Sequence, residues 1–334
     1  MKVARSFEEF RETRGRVVLA AGFFDGIHRG HRKVLSAAVD KARAADAAPW
    51  VLTFDRHPFE LLVPERAPKL LTSTARKLEL IESLGFEGCL VLPFTRELAS
   101  LSPAEFVASL VEPRRDGSGS EHSGVVALHC GGNWTFGAKA AGTPDVLRRL
   151  GHRRGFEVAV ARAIRCLGEN ISSTRIRRAV AGGDLALAER MLGRPHSVDG
   201  TIGHGRAVGR TIGRPTANLE AGYNAAIPPD GVYAVRVFLG NGREGGDAAK
   251  KNGAPFSGVA NIGVRPTFAD GGDAPERTFE VHLLDFGGDL YGRDMRVEFV
   301  RFLRPETAFP SPAALAAQIA RDIDDARGIL GARA

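Results

Sequence analysis

Cysteine is scarce in this 334-residue sequence, and the cysteines present are not spaced for chemistry. Cys89, Cys130 and Cys166 are odd in number and form no CxxC pair, so neither a disulfide framework nor a zinc site is predicted. Such cysteine usage is typical of a reducing compartment. We therefore expect a cytoplasmic protein.

Long apolar runs are also missing. No stretch approaches the ~18 consecutive apolar residues that a membrane helix needs. The amino-terminal MKVARSFEEF is amphipathic and lacks the apolar block of a secretory signal. The sequence therefore predicts no association with a membrane.

Runs of basic residues and the aromatic motifs of RNA-binding modules are absent too, although the net charge is +7. A positive balance suits nucleic acid or nucleotide phosphates, or it reflects arginine on a solvated surface. Because the arginines are spread along the whole chain, we expect no nucleic-acid partner. The alternative is a nucleic-acid-binding protein without enzymatic activity, which would bind with a steep salt dependence.

Short apolar segments alternate with helical patterns in the first half of the chain. The predicted strands are RVVLAAGFF, WVLTF, CLVLPF, GVVALHC and FEVAVARAI. Between the first two lies a predicted helix with Leu35, Ala38 and Ala42 on one face. This alternation is typical of a parallel α/β sheet.

The pattern changes after the helical segment STRIRRAVAGGDLALAERMLG. Short β-like runs with glycine-rich turns predict an antiparallel barrel or sandwich, followed by a helix that Ser311 caps. The length suits two domains, which we place at residues 1–186 and 187–334. Two polar, glycine-rich insertions, at residues 113–124 and 240–255, are predicted to be surface loops without chemistry.

The segment GFFDGIHRGH follows the first of these strands and opens a helix, which places His28 and His31 on one face of the helix start. Backbone NH groups and the positive end of the helix dipole favour phosphate there, and Gly22, Gly26 and Gly30 allow close approach. Two imidazoles can then contact the charge that develops on an α-phosphate during in-line displacement. The alternative is a pair of surface histidines beside a tight turn.

A second phosphate motif, ENISSTRIRRAV, begins a helix far along the chain. Ser172, Ser173 and Thr174 supply hydroxyls and NH groups, and arginines that include Arg177 follow in the first turns. Together these groups form a suitable triphosphate clamp, with simple helix capping as the alternative.

The β-rich half carries candidates of its own. The segment HGRAVGRTIGRPTANLE has a glycine-rich arch that can cradle phosphate through backbone NH groups; its glycines are Gly205, Gly209 and Gly213. Thr216 and Asn218 offer oxygen ligands suited to Mg²⁺. By spacing alone, an ordinary turn followed by a strand is the favoured interpretation.

Glu280 lies on one face of the alternating strand TFEVHLLDF, together with His282. A carboxylate there is placed to accept a hydroxyl proton during phosphoryl transfer to a primary alcohol. In isolation, a glutamate on the solvent face of a strand is the simpler interpretation.

Four segments, GFFDGIHRGH, VLTFDRHP, GGNWTFG and ISSTRIR, together resemble the FMN adenylyltransferase module of the prokaryotic bifunctional riboflavin kinase/FAD synthetase family. The resemblance implies a Rossmann-like nucleotidyltransferase domain with a parallel sheet. The residues that it implies for ATP binding are Gly22, Phe24, Asp25, Gly30, Ser172, Ser173, Thr174 and Arg177. Those that it implies for the flavin side are Phe54, Pro58, Asn133, Trp134 and Phe136. Trp134 stands where the family usually has phenylalanine.

The second half resembles the riboflavin kinase module of the same family, through segments such as GRTIGRPTANLE, GVANIGVRPTF and EVHLLDFGGDLYG. The resemblance implies a six-stranded antiparallel β-barrel with a C-terminal helix. It also implies that Thr216 and Asn218 coordinate Mg²⁺, that Glu280 activates the ribityl hydroxyl, and that the glycine-rich arch binds ATP. Arg214 precedes PTAN where the family usually has an apolar residue, and a buried charge there would be costly unless paired.

The sequence therefore predicts a two-step enzyme with His28, His31 and Glu280 as its catalytic residues. ATP phosphorylates riboflavin to FMN with the help of Mg²⁺, and a second ATP then adenylylates FMN to FAD with release of pyrophosphate. One alternative is a member of the family with a single active module, the kinase being the more doubtful because of Arg214. Another is a nucleotidyltransferase for a different cofactor precursor. The oligomeric state is not predicted.

Overall fold

A computed structural model describes residues 1–13, 15–111, 114–115, 121–122, 124–203, 217–240, 255–264, 277–288 and 290–331. The chain divides into two compact units. The first comprises Met1–Pro68 and Thr74–Ser173, and the second comprises Lys69–Ser73 and Thr174–Ala334.

The first unit is built on a six-stranded sheet in which every pairing is parallel. The strands of this unit are β1 (Lys2–Ala4), β2 (Val17–Ala21), β3 (Ala48–Phe54), β4 (Gly88–Leu92), β5 (Arg114–Arg115), β6 (Glu121–His122), β7 (Val125–Gly131), β8 (Glu157–Ala161), β9 (Arg165–Cys166) and β10 (Glu169–Asn170). Strands β2 and β4 are buried along their whole length, as expected of a parallel sheet that is covered on both faces. The predicted parallel α/β sheet is therefore confirmed.

Most helices of this unit bury apolar residues. The helices are α1 (Phe7–Arg11), α2 (Arg29–Ala44), α3 (Pro58–Leu62), α4 (Thr74–Glu82), α5 (Arg96–Ser100), α6 (Pro103–Val111) and α7 (Pro144–Arg154). Helix α2 buries Val34 together with Leu35, Ala38 and Ala42, the three residues predicted to share its apolar face. Burial of this stripe fixes the direction in which the amino end of α2 points.

The strand order β1-β4-β3-β2-β7-β8 places β2 between β3 and β7. Because these strands run parallel, their carboxyl ends meet at one edge of the sheet. Ligands of open α/β sheets bind at this edge, where the strand order reverses. The segments that follow β2, β3 and β7 are the ones that carry the sequence motifs.

Several short strands were not predicted. Strand β1 pairs in parallel with β4 and extends the sheet by one strand. Within the first insertion, β5 pairs with β6. Two or three residues are too few to show a periodic pattern, so these strands arise from the backbone partners that the fold supplies. Most of the second insertion, at residues 240–255, lies outside the described residues.

The second unit is a closed barrel with the strand order β11-β12-β15-β14-β13-β16, and β16 pairs with β11 to complete it. All of its pairings are antiparallel. Its strands and helices are β11 (Ser197–Gly203), β12 (Ala217–Glu220), β13 (Gly231–Leu239), β14 (Phe256–Val264), β15 (Arg277–Leu283), β16 (Asp294–Arg304), α8 (Ser173–Ala181), α9 (Leu185–Leu192) and α10 (Pro312–Gly331). The predicted six-stranded barrel with a C-terminal helix is confirmed, and closure rules out the sandwich.

From Thr174 onwards, helices α8 and α9 belong to the same compact unit as the barrel. Leu185 of α9 is part of the barrel's buried core, and α9 contacts β16. The two compact units accordingly divide between Ser173 and Thr174, earlier in the chain than residue 186. Helical periodicity predicts both helices, but it does not identify the core that they join.

A partly buried ion pair holds α10 to the barrel. Nε and Nη2 of Arg304 donate to the carboxylate of Asp322 over 2.9–3.1 Å, and the Gln318 amide donates to the same group at 2.9 Å. Asp322 is only 3% exposed. Ser311 caps the helix as predicted, because its hydroxyl accepts the Ala314 NH at 3.2 Å.

Removing one member of this pair leaves a charge that is largely shielded from water. We expect Asp322→Ala to lower the free energy of unfolding of the second unit by about 3 kcal/mol. The urea dependence of amide hydrogen exchange in β13 and β16 measures the loss for this unit alone. Asp324→Ala, on the exposed side of the same helix, is the matched control and should change the value by less than about 0.5 kcal/mol. Equal effects of the two changes would contradict the assignment.

Candidate active sites

The loop that follows β2 has an unusual backbone. Phe24, Gly26 and Ile27 have positive φ angles of 54°, 84° and 39°. This conformation suits glycine but is strained for the other two residues, Ile27 above all because it is β-branched. Both side chains are buried against the sheet, and the Ile27 amide donates to the Phe24 carbonyl at 3.2 Å. Packing thus offsets the strain and holds the loop in one conformation.

Helix α2 begins directly after this loop, and His28 is its N-cap. Nδ1 of His28 accepts a hydrogen bond from the His31 backbone NH at 3.1 Å. The two imidazole rings stack with their centroids 3.5 Å apart. A Cβ atom at Gly30 would come within 3.0 Å of the His28 ring, so glycine leaves room for this stacking. The structure therefore brings together the two histidines that the sequence predicted to share a face.

The His31 imidazole is held in its neutral form. Burial lowers the pKa of His31 well below its usual value, and electrostatic interactions with His28 and Lys77 lower this pKa further. The edge of the Phe24 ring packs against His31, with 5.3 Å between the ring centroids. A neutral imidazole retains one NH donor and carries no mobile proton at physiological pH.

The second phosphate motif reaches the same loop. Ser173 donates its hydroxyl hydrogen to the carbonyl of Asp25 over 2.9 Å, although the two residues are 148 positions apart in the chain. The Ile171 carbonyl also lies 4.0 Å from the position of a Cβ at Gly30. Ser173 begins α8, so Thr174 and Arg177 lie in the first turns of that helix, and Ser172 directly precedes it. The two motifs thus meet through Ser173.

The predicted flavin-side residues follow β3 and β7. Phe54 ends β3, and Pro58 begins α3 after a capping box formed by His57 and Glu60. The rings of Trp134 and Phe136 stack with centroids 4.7 Å apart, and both residues are buried. Asn133 is exposed beside them. Stacking on Phe136 accommodates the larger indole that stands where the family usually has phenylalanine.

Lys77 is a site residue that the sequence analysis missed. It is 2% exposed, and it lies on α4 next to the ends of β2 and β3. Its Nζ is 4.2 Å from the centre of the Phe23 ring and contacts Thr53 and the Phe54 carbonyl. The sequence does indicate that Lys77 is buried, because Lys77 occupies the same helical face as Leu80 and Ile81, which are buried.

The polar candidates of the barrel lie on neighbouring strands. Glu280 of β15 is directly opposite Asn218 of β12 on one side and Asn261 of β14 on the other. Residues paired in this way point to the same face, so the three side chains form one row. Their neighbours along each strand are buried in the barrel core, which places the row on the outer face. Sequence reasoning missed Asn261, although it alternates with buried residues of β14.

The rest of the predicted kinase site lies outside the described residues. This set comprises Gly205, Gly209, Gly213, Arg214 and Thr216. Their predicted roles therefore stay predictions.

Two family models match the chain, one in each half. A model described as FAD synthetase matches residues 10–175, and a model described as riboflavin kinase matches residues 192–330. The first match contains the paired histidines, and the second contains Glu280. Residues between the two matches form most of α8 and α9.

Relatives match over nearly the whole chain. The bifunctional riboflavin kinase/FMN adenylyltransferase of Pseudomonas fluorescens is 37% identical over 329 residues, which are 98% of this chain and 98% of that protein. The Escherichia coli K12 protein of the same name is 38% identical over 314 residues and covers 94% of this chain and 93% of its own length.

A solved structure is similar over the same extent. It is described as a macrolide-efflux protein from Streptococcus pneumoniae, is 28% identical, and covers 97% of this chain and 98% of its own with a TM-score of 0.78. None of the helices in the described part of the chain is both long and apolar enough to cross a membrane.

The family predicted from the sequence motifs is therefore confirmed, together with the enzyme class. With an FAD synthetase region followed by a riboflavin kinase region, the chain belongs to the family of bifunctional riboflavin kinase/FMN adenylyltransferases.

Proposed function

We propose that the chain makes FAD from riboflavin in two ATP-dependent steps, one in each unit. In the barrel, the γ-phosphate of ATP is transferred to the primary hydroxyl of riboflavin, which gives FMN and ADP. In the parallel-sheet unit, a phosphate oxygen of FMN attacks the α-phosphorus of a second ATP, and pyrophosphate leaves as FAD forms. The observation that carries the proposal is the stacked pair of His28 and His31 at the start of α2. Ser173 of the second phosphate motif is hydrogen-bonded to the loop that directly precedes these histidines.

Adenylyl transfer needs donors around the α-phosphate, where negative charge builds up in the transition state. The amino end of α2 supplies backbone NH groups and a favourable dipole. Nδ1 of His28 accepts a hydrogen bond, so the proton of this ring is on Nε2, which then donates to a phosphate oxygen. Since the lowered pKa keeps His31 neutral, its role is donation rather than proton transfer. Positioning and charge stabilisation suffice for the step without a covalent intermediate.

The substrates are proposed to lie along the carboxyl edge of the sheet. The residues assigned to the adenine nucleotide and its phosphates are Gly22, Phe24, Asp25, Gly30, Ser172, Ser173, Thr174 and Arg177. Those assigned to the flavin are Phe54, Pro58, Asn133, Trp134 and Phe136. This arrangement is supported by the neighbouring parallel strands β3, β2 and β7. The segments that follow these strands carry the assigned residues, and they meet at one edge of the sheet. Aromatic rings at this edge are suitable partners for the planar flavin.

Glu280 is proposed as the base that accepts the proton of the riboflavin hydroxyl. Its position on a strand of a closed barrel keeps its backbone rigid, and its carboxylate belongs to the outer row with Asn218. The amide oxygen of Asn218, next to that carboxylate, is of the donor type that Mg²⁺ prefers. Asn218 and Thr216 would therefore hold Mg²⁺, which when bound neutralises charge on the phosphates.

The proposed partners are small molecules only: riboflavin, FMN and ATP. No nucleic acid or membrane is part of the proposal. We place the reaction in the cytoplasm, where ATP is abundant and the three buried cysteines stay reduced.

The whole proposal is tested by incubating the protein with riboflavin, ATP and Mg²⁺ and separating the flavins over time. We expect FMN to appear first and FAD to follow. If neither flavin forms, the proposed function is wrong. Conversion of added FMN without phosphorylation of riboflavin would identify a member of the family with an inactive kinase. Adenylylation of another phosphorylated precursor in place of FMN would support the alternative substrate.

His28→Ala should lower the rate of FMN adenylylation by about a hundred- to a thousand-fold, because it removes a donor to the transition state. Riboflavin phosphorylation by the same protein should remain within twofold of the wild-type rate, since the barrel is untouched. His152→Ala replaces an exposed histidine of α7 in the same unit and serves as the matched control. Loss of both activities in a folded His28→Ala protein would contradict separate sites.

Glu280→Gln should lower the rate of riboflavin phosphorylation by about a hundred-fold or more, because the amide cannot accept the hydroxyl proton. Added FMN should still be converted to FAD at the wild-type rate. Glu298→Gln changes a partly buried glutamate on another barrel strand and controls for loss of a carboxylate from the barrel. The assignment fails if Glu280→Gln phosphorylates riboflavin normally.

A further inference from the structure

Lys77 is a buried cation in the parallel-sheet unit. Its side chain points from α4 towards the ends of β2 and β3, and only 2% of the residue is exposed. Burying an ammonium group costs free energy unless an anion or several good hydrogen bonds compensate for it. The groups around Nζ therefore determine how well the protein compensates this charge.

The hydrogen bonds of Lys77 are long. Nζ lies 3.5 Å from Oγ1 of Thr53 and 3.4 Å from the carbonyl oxygen of Phe54, and it is 4.2 Å from the centre of the Phe23 ring. Among the described residues, no carboxylate forms an ion pair with Nζ. The ammonium is thus only partly compensated by the protein.

The surrounding charges favour the protonated form at longer range. Asp25, Asp55 and Glu60 raise the pKa of Lys77, yet burial outweighs them and lowers this pKa to about 8. Cys89 also faces the group, but burial raises the pKa of its thiol to about 12, so it is uncharged. Lys77 therefore carries its proton at neutral pH and loses it as the pH rises through about 8.

The contacts of Lys77 lead to the loop that follows β2. Oγ1 of Thr53, which accepts from Lys77, donates its own hydrogen to the carbonyl of Phe23 at 3.0 Å. Phe23 directly precedes the strained residue Phe24, so this chain of hydrogen bonds holds the start of the loop. The charge of Lys77 also acts on His31 and favours its neutral form.

We infer that Lys77 is a positioning residue for adenylyl transfer: its buried ammonium orients the loop that begins at Phe23 and supplies a fixed positive charge beneath the developing charge on the α-phosphate. The inference rests on the proposed FMN adenylylation in this unit. Lys77 acts through Thr53, Phe23 and His31 and does not touch the reacting atoms.

Three variants separate the charge from the hydrogen bonds. Lys77→Gln keeps a donor for Thr53 but has no charge, Lys77→Met has neither, and Lys77→Arg keeps the charge. We expect kcat for FMN adenylylation to fall by about ten- to a hundred-fold in the Gln and Met variants, with KM for FMN and ATP within about threefold. The Arg variant should retain a clearly larger share of kcat. Lys41→Gln, a lysine of α2 paired with Glu157 in the same unit, should stay within twofold of the wild type.

The pH profile of kcat/KM gives a second readout, because it reports ionisations of the unbound enzyme. The ammonium is present below its pKa, so wild-type kcat/KM should fall as the pH rises through about 8. This fall should be absent from all three variants. Their kcat/KM should stay constant across this pH range, at a low value for the Gln and Met variants and at a higher value for the Arg variant. A purely structural lysine would not produce that difference between plateaus.

The outcomes distinguish this inference from the function on which it rests. If the wild type makes no FAD from FMN, the proposed function fails and the inference with it. If the wild type is active and Lys77→Gln keeps its kcat and its pH profile, the charge has no role and only the inference is overturned. Circular dichroism shows whether the neutral variants fold. If they do not, the Arg variant still tests the inference, because its charge is not lost near pH 8. A fall of kcat/KM near pH 8 in the Arg variant would show that another group is responsible and would overturn the inference.

Discussion

The site of the first unit depends on one hydrogen bond, from the His31 backbone NH to Nδ1 of His28. This bond caps α2, fixes the proton of His28 on Nε2 and brings the two rings into a stack. Glycine at position 30 leaves room for this arrangement, because a Cβ atom there would come within 3.0 Å of the His28 ring. Helix capping and arrangement of the imidazoles are therefore one and the same interaction.

The fold places this helix start where other segments can reach it. Parallel strands expose their carboxyl ends at a common edge, and Ser173 ties the second motif to the loop through the Asp25 carbonyl. The barrel positions its polar groups in a different way. Its closed sheet keeps neighbouring outward-facing residues at a fixed spacing, so Glu280 stays beside Asn218 and Asn261 without support from a loop. Each unit thus positions its polar groups through backbone geometry.

Both architectures were predictable because they leave regular patterns in the chain. Alternating strands and helices predicted the parallel sheet, and alternation of buried and outward-facing residues in β15 predicted a barrel strand. Strand β1 was missed because three residues carry no periodicity, and it forms only where β4 offers its backbone. The compact units divide at Ser173, whereas the sequence places the boundary at residue 186, since an amphipathic helix shows that it packs but not against which core.

Local spacing by itself determined that His28 and His31 share a helix start, and the motifs together determined the family. Only the tertiary structure decided that Ser173 meets Asp25 and that Lys77 lies under Phe23. The reason is physical: a motif records which residues are adjacent along the chain, whereas these contacts join segments that only sheet order and helix packing bring together. The environment that sets the charge of a buried lysine exists only after folding.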